Sequence, residues 1–403
     1  MKIIDGGICA AKGFTASGIH CGIRKNRTKK DLSLIYSEKI ASAAAVYTTN
    51  LVKGATIDVT KKNIADGKAQ AVICNSGNAN TCNADGIEVA EKMCSLVADE
   101  LKIDKKDVVV ASTGVIGQPL DIEPIKNSIP ELVKNLGNNS QDAANGIMTT
   151  DTKIKEIAVS FNIGGTECKI GGIAKGSGMI HPDMATMLVF ITTDCAITSK
   201  MLQNALSSDI KDTFNMVSVD GDTSTNDMVT VLANGMAENN EIDTFGEDFD
   251  TFMKAFNTVT VYLCRCIAAD GEGATKMLEC KVEGANDSLT AKKVAKSIIC
   301  SSLTKAAMFG ADANWGRILC AIGYAKCDVD VKKVDVSFKS KMGIIDVCKN
   351  GSGIEFSEEK AKEILLEDEI EILVKLGDGS GSATAWGCDL TYDYVKINGD
   401  YRT

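Results

Sequence analysis

Apolar residues recur along this chain in two rhythms, and their alternation predicts a mixed α/β (α+β) protein. Short apolar runs closed by turn residues read as buried strands. One covers 71–75 and ends in a Ser-Gly-Asn turn; another covers 107–112 and is halted by Thr113 and Gly114. Ile87, Ala90, Cys94, Val97 and Leu101 recur at spacings of three and four, which predicts a helix. The same spacing predicts helices over 201–217 and 252–267. Extended structure is expected over 151–163, 228–233, 276–282 and 369–374, with a last strand over 383–397. Between these lies a glycine-rich loop holding Gly164, Gly165, Gly171, Gly172, Gly176 and Gly178, which leads into an apolar strand over 184–191. After about residue 283 the units shorten, which places a soft domain boundary near 284 and divides 1–283 from 284–403.

Composition narrows the function classes. With 403 residues, 44% hydrophobic and 24% charged, the chain has an ordinary globular make-up and room for two domains or one large one. No apolar run is long enough to span a bilayer and the first residues do not form a leader, so a cytoplasmic protein is expected. The net charge of −10, with no basic cluster beyond a turn at 24–30, argues against nucleic-acid binding. Fifteen scattered cysteines in a long chain read as small buried hydrophobes rather than a disulfide scaffold. Only two histidines are present, His20 and His181, so no His-rich metal site is available and any Ser–His–Asp triad has a very short choice of base. Phosphate loops are missing, and the glycine turns at 271–273 and 377–381 carry acidic residues, so neither a cofactor nor a bound nucleotide is expected.

Chemistry without imidazole directs attention to Thr186. It follows the small Ala185 where the glycine-rich loop enters an apolar strand. On residue type alone it is an ordinary strand threonine. If its hydroxyl attacks the preceding carbonyl and the resulting ester is hydrolysed, Thr186 gains a free α-amine of pKa about 7.7–8.0, able to act as base to its own hydroxyl. Thr113 and Gly114, at a strand end, fit either a plain turn or an oxyanion hole built from a hydroxyl and a backbone N–H.

The residues Asn75-Ser-Gly-Asn-Ala-Asn80, Ser112-Thr-Gly-Val-Ile-Gly117, Met148-Thr-Thr-Asp-Thr152, Lys175-Gly-Ser-Gly-Met179, Met184-Ala-Thr-Met-Leu188, Ser224-Thr-Asn-Asp227, Asp312-Ala-Asn-Trp-Gly-Arg317 and the tail from Ala385 to Thr403 occur in order and together. In this set the chain resembles the ArgJ family of ornithine acetyltransferases (glutamate N-acetyltransferases), nearly end to end. The resemblance implies a layered αββα sandwich of the ArgJ/DmpA type with a smaller C-terminal α/β domain. It implies self-cleavage between Ala185 and Thr186 into chains 1–185 and 186–403, assembled as an α2β2 heterotetramer. Thr186 would be nucleophile and base, and Thr113 and Gly114 the oxyanion pair. Thr152, Lys175, Thr186, Glu272, Asn398 and Thr403 would bind substrate. The implied reaction moves acetyl from N2-acetylornithine to glutamate in arginine biosynthesis, with acetyl-CoA left open as a second donor. His181 departs from the family pattern. Two other readings remain: a self-processing hydrolase of related fold that passes acyl groups to water, and a non-enzymatic amino-acid-binding protein.

Overall fold

The structure is a computed structural model that describes residues 1–181 and 187–400. Its first sheet has nine strands among the described residues. Their order is Lys2–Ile4, Lys155–Ile163, Thr166–Lys175, Leu188–Thr193, Met228–Ala233, Leu32–Tyr47, Lys68–Asn78 and Val108–Val115, with Phe14–Ile19 branching onto Leu32–Tyr47. The 16-residue strand Leu32–Tyr47 changes partner along its length. Leu32 to Ser37 pair with Phe14–Ile19, and Ser42 to Tyr47 pair with Met228–Ala233. The ladder to Lys68–Asn78 is interrupted between Tyr36 and Ala41, where the sheet bends.

That bend folds the sheet onto itself. One apolar cluster draws Ile35, Val72 and Val109 from one half and Ile173, Phe190 and Leu232 from the other, so the two inner faces look at each other. Helices cover the outer faces. Ile73 and Val110 turn outward onto Gly86–Leu101 and Ile122–Lys134, while Val159, Val189 and Val229 turn onto Ser199–Asp209 and Glu247–Ala269. The layers are therefore αββα. A second sheet packs beyond Glu247–Ala269 within the same core. Its order is Ser352–Gly353, Gly343–Lys349, Asp335–Ser340, Glu369–Lys375, Met277–Ala285, Gly381–Cys388 and Val217–Ser218. Position 284 falls inside the strand Met277–Ala285, and Val217–Ser218 reaches the second sheet from well upstream. Among the described residues, no helix is long and apolar enough to cross a membrane.

Local chemistry explains the elements. Gly86–Leu101 buries Val89, Ala90, Met93, Cys94 and Val97 on one stripe, and Ile87 is exposed instead of joining it. Glu247–Ala269 carries Glu247, Asp248 and Asp250 in its first turn, where the helix dipole favours negative charge. The basic segment 24–30 forms a surface turn.

Four expectations are corrected. The glycine-rich stretch is not one loop: Gly164 and Gly165, at φ 55° and 89°, make the tight turn of a hairpin, and Thr166–Lys175 is a strand. The helix expected over 201–217 is Ser199–Asp209, followed by a 3-10 turn at Phe214–Met216. The strand halted at Thr113 runs on to Val115 through Gly114, whose φ of 133° is open only to glycine. The last strand stops at Cys388, where Asp389 accepts the amides of Thr275 and Lys276 at 2.9 and 3.0 Å, and a helix, Tyr392–Asp400, follows.

Gly171 and Gly172 separate two reasons for glycine in a strand. A Cβ on Gly171 would collide with the Gly7 carbonyl of the N-terminal turn, whereas one on Gly172 would meet side-chain atoms of Leu263, Val259 and Ile191 at 3.0, 3.1 and 3.3 Å. Gly171→Ala is expected to cost about 1–3 kcal/mol, the usual penalty of overpacking. Gly172→Ala is expected to cost clearly less. Equal losses in thermal melts of the two variants would contradict this account.

Candidate active site

A pocket opens where the C-terminal ends of Lys68–Asn78, Val108–Val115 and Thr166–Lys175 meet the loops 224–226 and 270–273. Thr113, Gly114, Lys175, Glu272 and Asn398 all line it, although they are scattered through the sequence. Thr149, Thr150 and the loop 224–226 complete the wall. Thr152 does not line the pocket: it is exposed, and its hydroxyl and amide are spent on Asp270. Ala185, Thr186 and Thr403 lie outside the described residues.

Thr113 and Gly114 are held by a parallel ladder in which Ser76 and Gly77 sit opposite them. A Cβ on Gly114 would strike the Gly77 backbone, so the two chains approach as only glycine permits. Asn226 locks this corner from the other side. Its amide donates to the carbonyls of Ala79 at 2.5 Å and Ser112 at 2.9 Å, and its oxygen accepts from Thr81 at 2.7 Å and Thr225 at 2.5 Å. Every hydrogen-bonding position of the side chain is in use, so it acts as a rigid cross-brace one residue before Thr113. The Thr113 hydroxyl itself has no partner among the described residues and lines the open pocket.

Lys175 is buried, yet its ammonium has no hydrogen-bond or ion-pair partner among the described residues. It feels Asp151 and Asp227 through space. Glu272 sits across the pocket and accepts the Asn398 amide at 2.8 Å. Gly178 lies flat against the Glu272 carboxylate, and a Cβ there would collide with it. The backbone just ahead of the undescribed segment is pinned by Asp220, which accepts the amides of Met179 at 2.6 Å and Ile180 at 2.9 Å. Tyr394 adds its hydroxyl to Asp220 at 3.3 Å. His181 contacts Ser218 at 3.1 Å and the Cys300 thiol at 3.5 Å.

Several of these groups were not singled out as site residues from sequence. Asn226, Asp227 and Asp151 stand in recognisable motifs but carry no visible role there, and Lys155 and Asp270 were given no role from sequence. Asp227 is fully buried, and one carboxylate oxygen has no hydrogen-bond partner among the described residues. Burial pushes its carboxyl well above the usual carboxylate range; Ser224 and Lys175 offset this only in part.

Comparison with known proteins follows the same lines. The model of the ArgJ family matches residues 15–403. The arginine biosynthesis bifunctional protein ArgJ of Caldanaerobacter subterraneus is 51% identical over 405 residues, covering 100% of both chains. The protein named arginine biosynthesis bifunctional protein ArgJ 1 in Clostridium acetobutylicum is 50% identical over 392 residues, covering 97% of this chain and 96% of its own. The crystal structure of the arginine biosynthesis bifunctional protein ArgJ from Bacillus halodurans superposes with a TM-score of 0.51 at 48% identity, over 53% of this chain and 98% of that chain.

The Asp227 carboxyl carries a prediction about pH. Its pKa is higher folded than unfolded, so above the ordinary carboxylate range folding must take up a proton, and stability falls as pH rises through that window. Asp227→Asn removes the titration. The variant is expected to melt above the wild type at pH 8, with the gap narrowing at pH 5. A gap independent of pH would show that the carboxyl is ionised in the folded state.

Proposed function

We propose, on the premise that this chain belongs to the ArgJ family, that it is an acetyltransferase of arginine biosynthesis which carries acetyl from N2-acetylornithine to glutamate on Thr186. One observation carries the reading. A single pocket presents, among the described residues, an ammonium at Lys175 and a hydroxyl at Thr113 without hydrogen-bond partners, and a carboxylate at Glu272. An amino-acid substrate brings the complements of the first and last, a carboxylate and an amine, and charge-assisted pairing to both orients it. The hydroxyl and the Gly114 amide are left for an oxyanion.

The mechanism begins with maturation. Thr186 Oγ1 attacks the Ala185 carbonyl, the acyl group shifts from nitrogen to oxygen, and water hydrolyses the ester. This leaves chains 1–185 and 186–403 and a free amine on Thr186. The span 186–403 is just over half of the chain, and the Bacillus halodurans polypeptide, matched over 98% of its own length by 53% of this one, supports such a division. In the mature enzyme the amine takes the proton as the hydroxyl attacks the acetyl carbonyl. Thr113 and Gly114 hold the oxyanion, ornithine leaves, and an acetyl-threonine ester remains. The amine of glutamate then attacks that ester and releases N-acetylglutamate and the free hydroxyl. Lys175 pairs with the substrate carboxylate, and Glu272, Asn398 and Thr403 complete the binding set, while Thr152 acts from beside the wall through Asp270. The relatives' description as bifunctional supports acetyl-CoA as a second donor. The two chains assemble as an α2β2 heterotetramer.

Intact mass and acetyl transfer test this together. The purified protein is expected to resolve into two chains divided before Thr186 and to move acetyl from N2-acetylornithine to glutamate. Thr186→Ala is expected to stay a single chain and to lose activity by at least about 1000-fold. Ornithine release that is equal with and without glutamate would make the protein a hydrolase instead. Thr113→Ala is expected to mature but to lower kcat roughly 100- to 1000-fold, the usual cost of one oxyanion donor. A loss confined to KM would remove Thr113 from that role.

A further inference from the structure

Lys155 is buried to 1% exposure, and the proposed reaction leaves it without a task. It opens the strand Lys155–Ile163 opposite Ala174, beside Lys175. Its ammonium lies 2.7 Å from Asp151 and 2.5 Å from Asp270, both buried. Each carboxylate holds part of the pocket wall. Asp151 accepts the amides of Thr149 at 2.9 Å and Gly176 at 2.7 Å. Asp270 accepts the amide of Thr152 at 3.0 Å together with its hydroxyl, while its own carbonyl takes the Ser177 hydroxyl at 2.7 Å. The Ser177 carbonyl in turn receives the amide of Glu272 at 3.0 Å.

We propose that Lys155 is the positioning residue of the amino-acid subsite: clamped between Asp151 and Asp270, it sets the spacing of the wall segments that carry Thr149 and Thr150, Lys175, and Glu272. The proposal rests on the acetyl-transfer reading above and deepens it, because donor and acceptor both bring an α-carboxylate to this wall. Two features favour a role in the site over packing alone. The three segments tied by one ammonium all face the pocket, and an apolar residue would fill the volume of Lys155 without the penalty of burying charge. Lys155 also engages Asp151 directly, which leaves the Lys175 ammonium without a hydrogen-bonded partner among the described residues and so available to ligand.

The test uses mature enzyme carrying Lys155→Met. KM for N2-acetylornithine and KM for glutamate are each expected to rise tenfold or more, since misplacement of binding groups by about 1 Å has effects of that order. The kcat is expected to stay within about threefold of wild type. So is the release of p-nitrophenol from p-nitrophenyl acetate, an acetyl donor without a carboxylate. Unchanged KM values would overturn the proposal, as would a parallel fall in kcat and in p-nitrophenol release, which marks general loss of structure. If Lys155→Met fails to fold, Asp151→Asn reads the same quantities while keeping an acceptor for one of the Thr149 and Gly176 amides; it should raise both KM values too, and unchanged values would be equally fatal. Failure of the unsubstituted enzyme to transfer acetyl to glutamate strikes the preceding reading instead, and is distinguished because no substitution is involved.

Discussion

The first sheet interleaves chain from both sides of residue 186, and this pairing governs everything built on it. Leu188–Thr193 and Met228–Ala233 lie side by side in parallel. Their outer neighbours, Thr166–Lys175 and Leu32–Tyr47, both come from upstream. The downstream strands are thus held inside the upstream ones by a ladder on each flank. A cut before Thr186 breaks one covalent bond and none of these ladders, so the proposed maturation leaves the core intact. The same register sets Lys175 opposite Leu188 and ties the Met228 amide to the Met187 carbonyl at 2.8 Å. The pocket therefore inherits its shape from the most buried part of the sheet.

Sequence pattern is legible where one residue type dominates one environment. The apolar run at 228–233 is the observed strand Met228–Ala233, because a strand buried on both faces needs no alternation. Gly86–Leu101 and Glu247–Ala269 announce themselves by their stripes. Thr166–Lys175 does not, because Gly171 and Gly172 lack the side chains that carry a period. They are small because Gly7 and the helix Glu247–Ala269 press against them, which is a fact about other parts of the chain. Tyr392–Asp400 buries none of its side chains, so no apolar face marks it as a helix.

The site divides in the same way. Lys175, Glu272, Thr113, Gly114 and Asn398 were named from their neighbours in sequence, and the fold gathers them around one pocket. Thr152 was named in the same way yet stands beside the wall, its polar groups committed to Asp270. Lys155 was unreadable. A lysine opening a strand ordinarily faces water, and only contacts with residues four and 115 positions away reveal the buried cluster. Distance in sequence, not subtlety of type, hides such residues.

The arrangement of charge gives the last step. Burial alone would raise the carboxyl of Asp151, but Lys155, then Lys175, and the hydrogen bonds outweigh it and hold the group below its ordinary range. Burial likewise opposes the charge on Lys155, and Asp151 and Asp270 override it. Asp227, lacking such partners, is pushed toward its neutral form. The cluster thus consists of Asp151 and Asp270 paired with Lys155, one acid, Asp227, that burial pushes toward its neutral form, and Lys175, attracted to Asp151 and Asp227 but hydrogen-bonded to none of the three. Among the described residues, nothing fully compensates the desolvation of a buried ammonium in that state. An incoming carboxylate supplies what is missing, so much of the desolvation needed for binding has been met in folding. If Asp151 paired directly with Lys175, the substrate would first have to break that pair. Lys155 prevents this by occupying the acid from behind, and a residue that never lines the pocket thereby keeps the pocket's cation available.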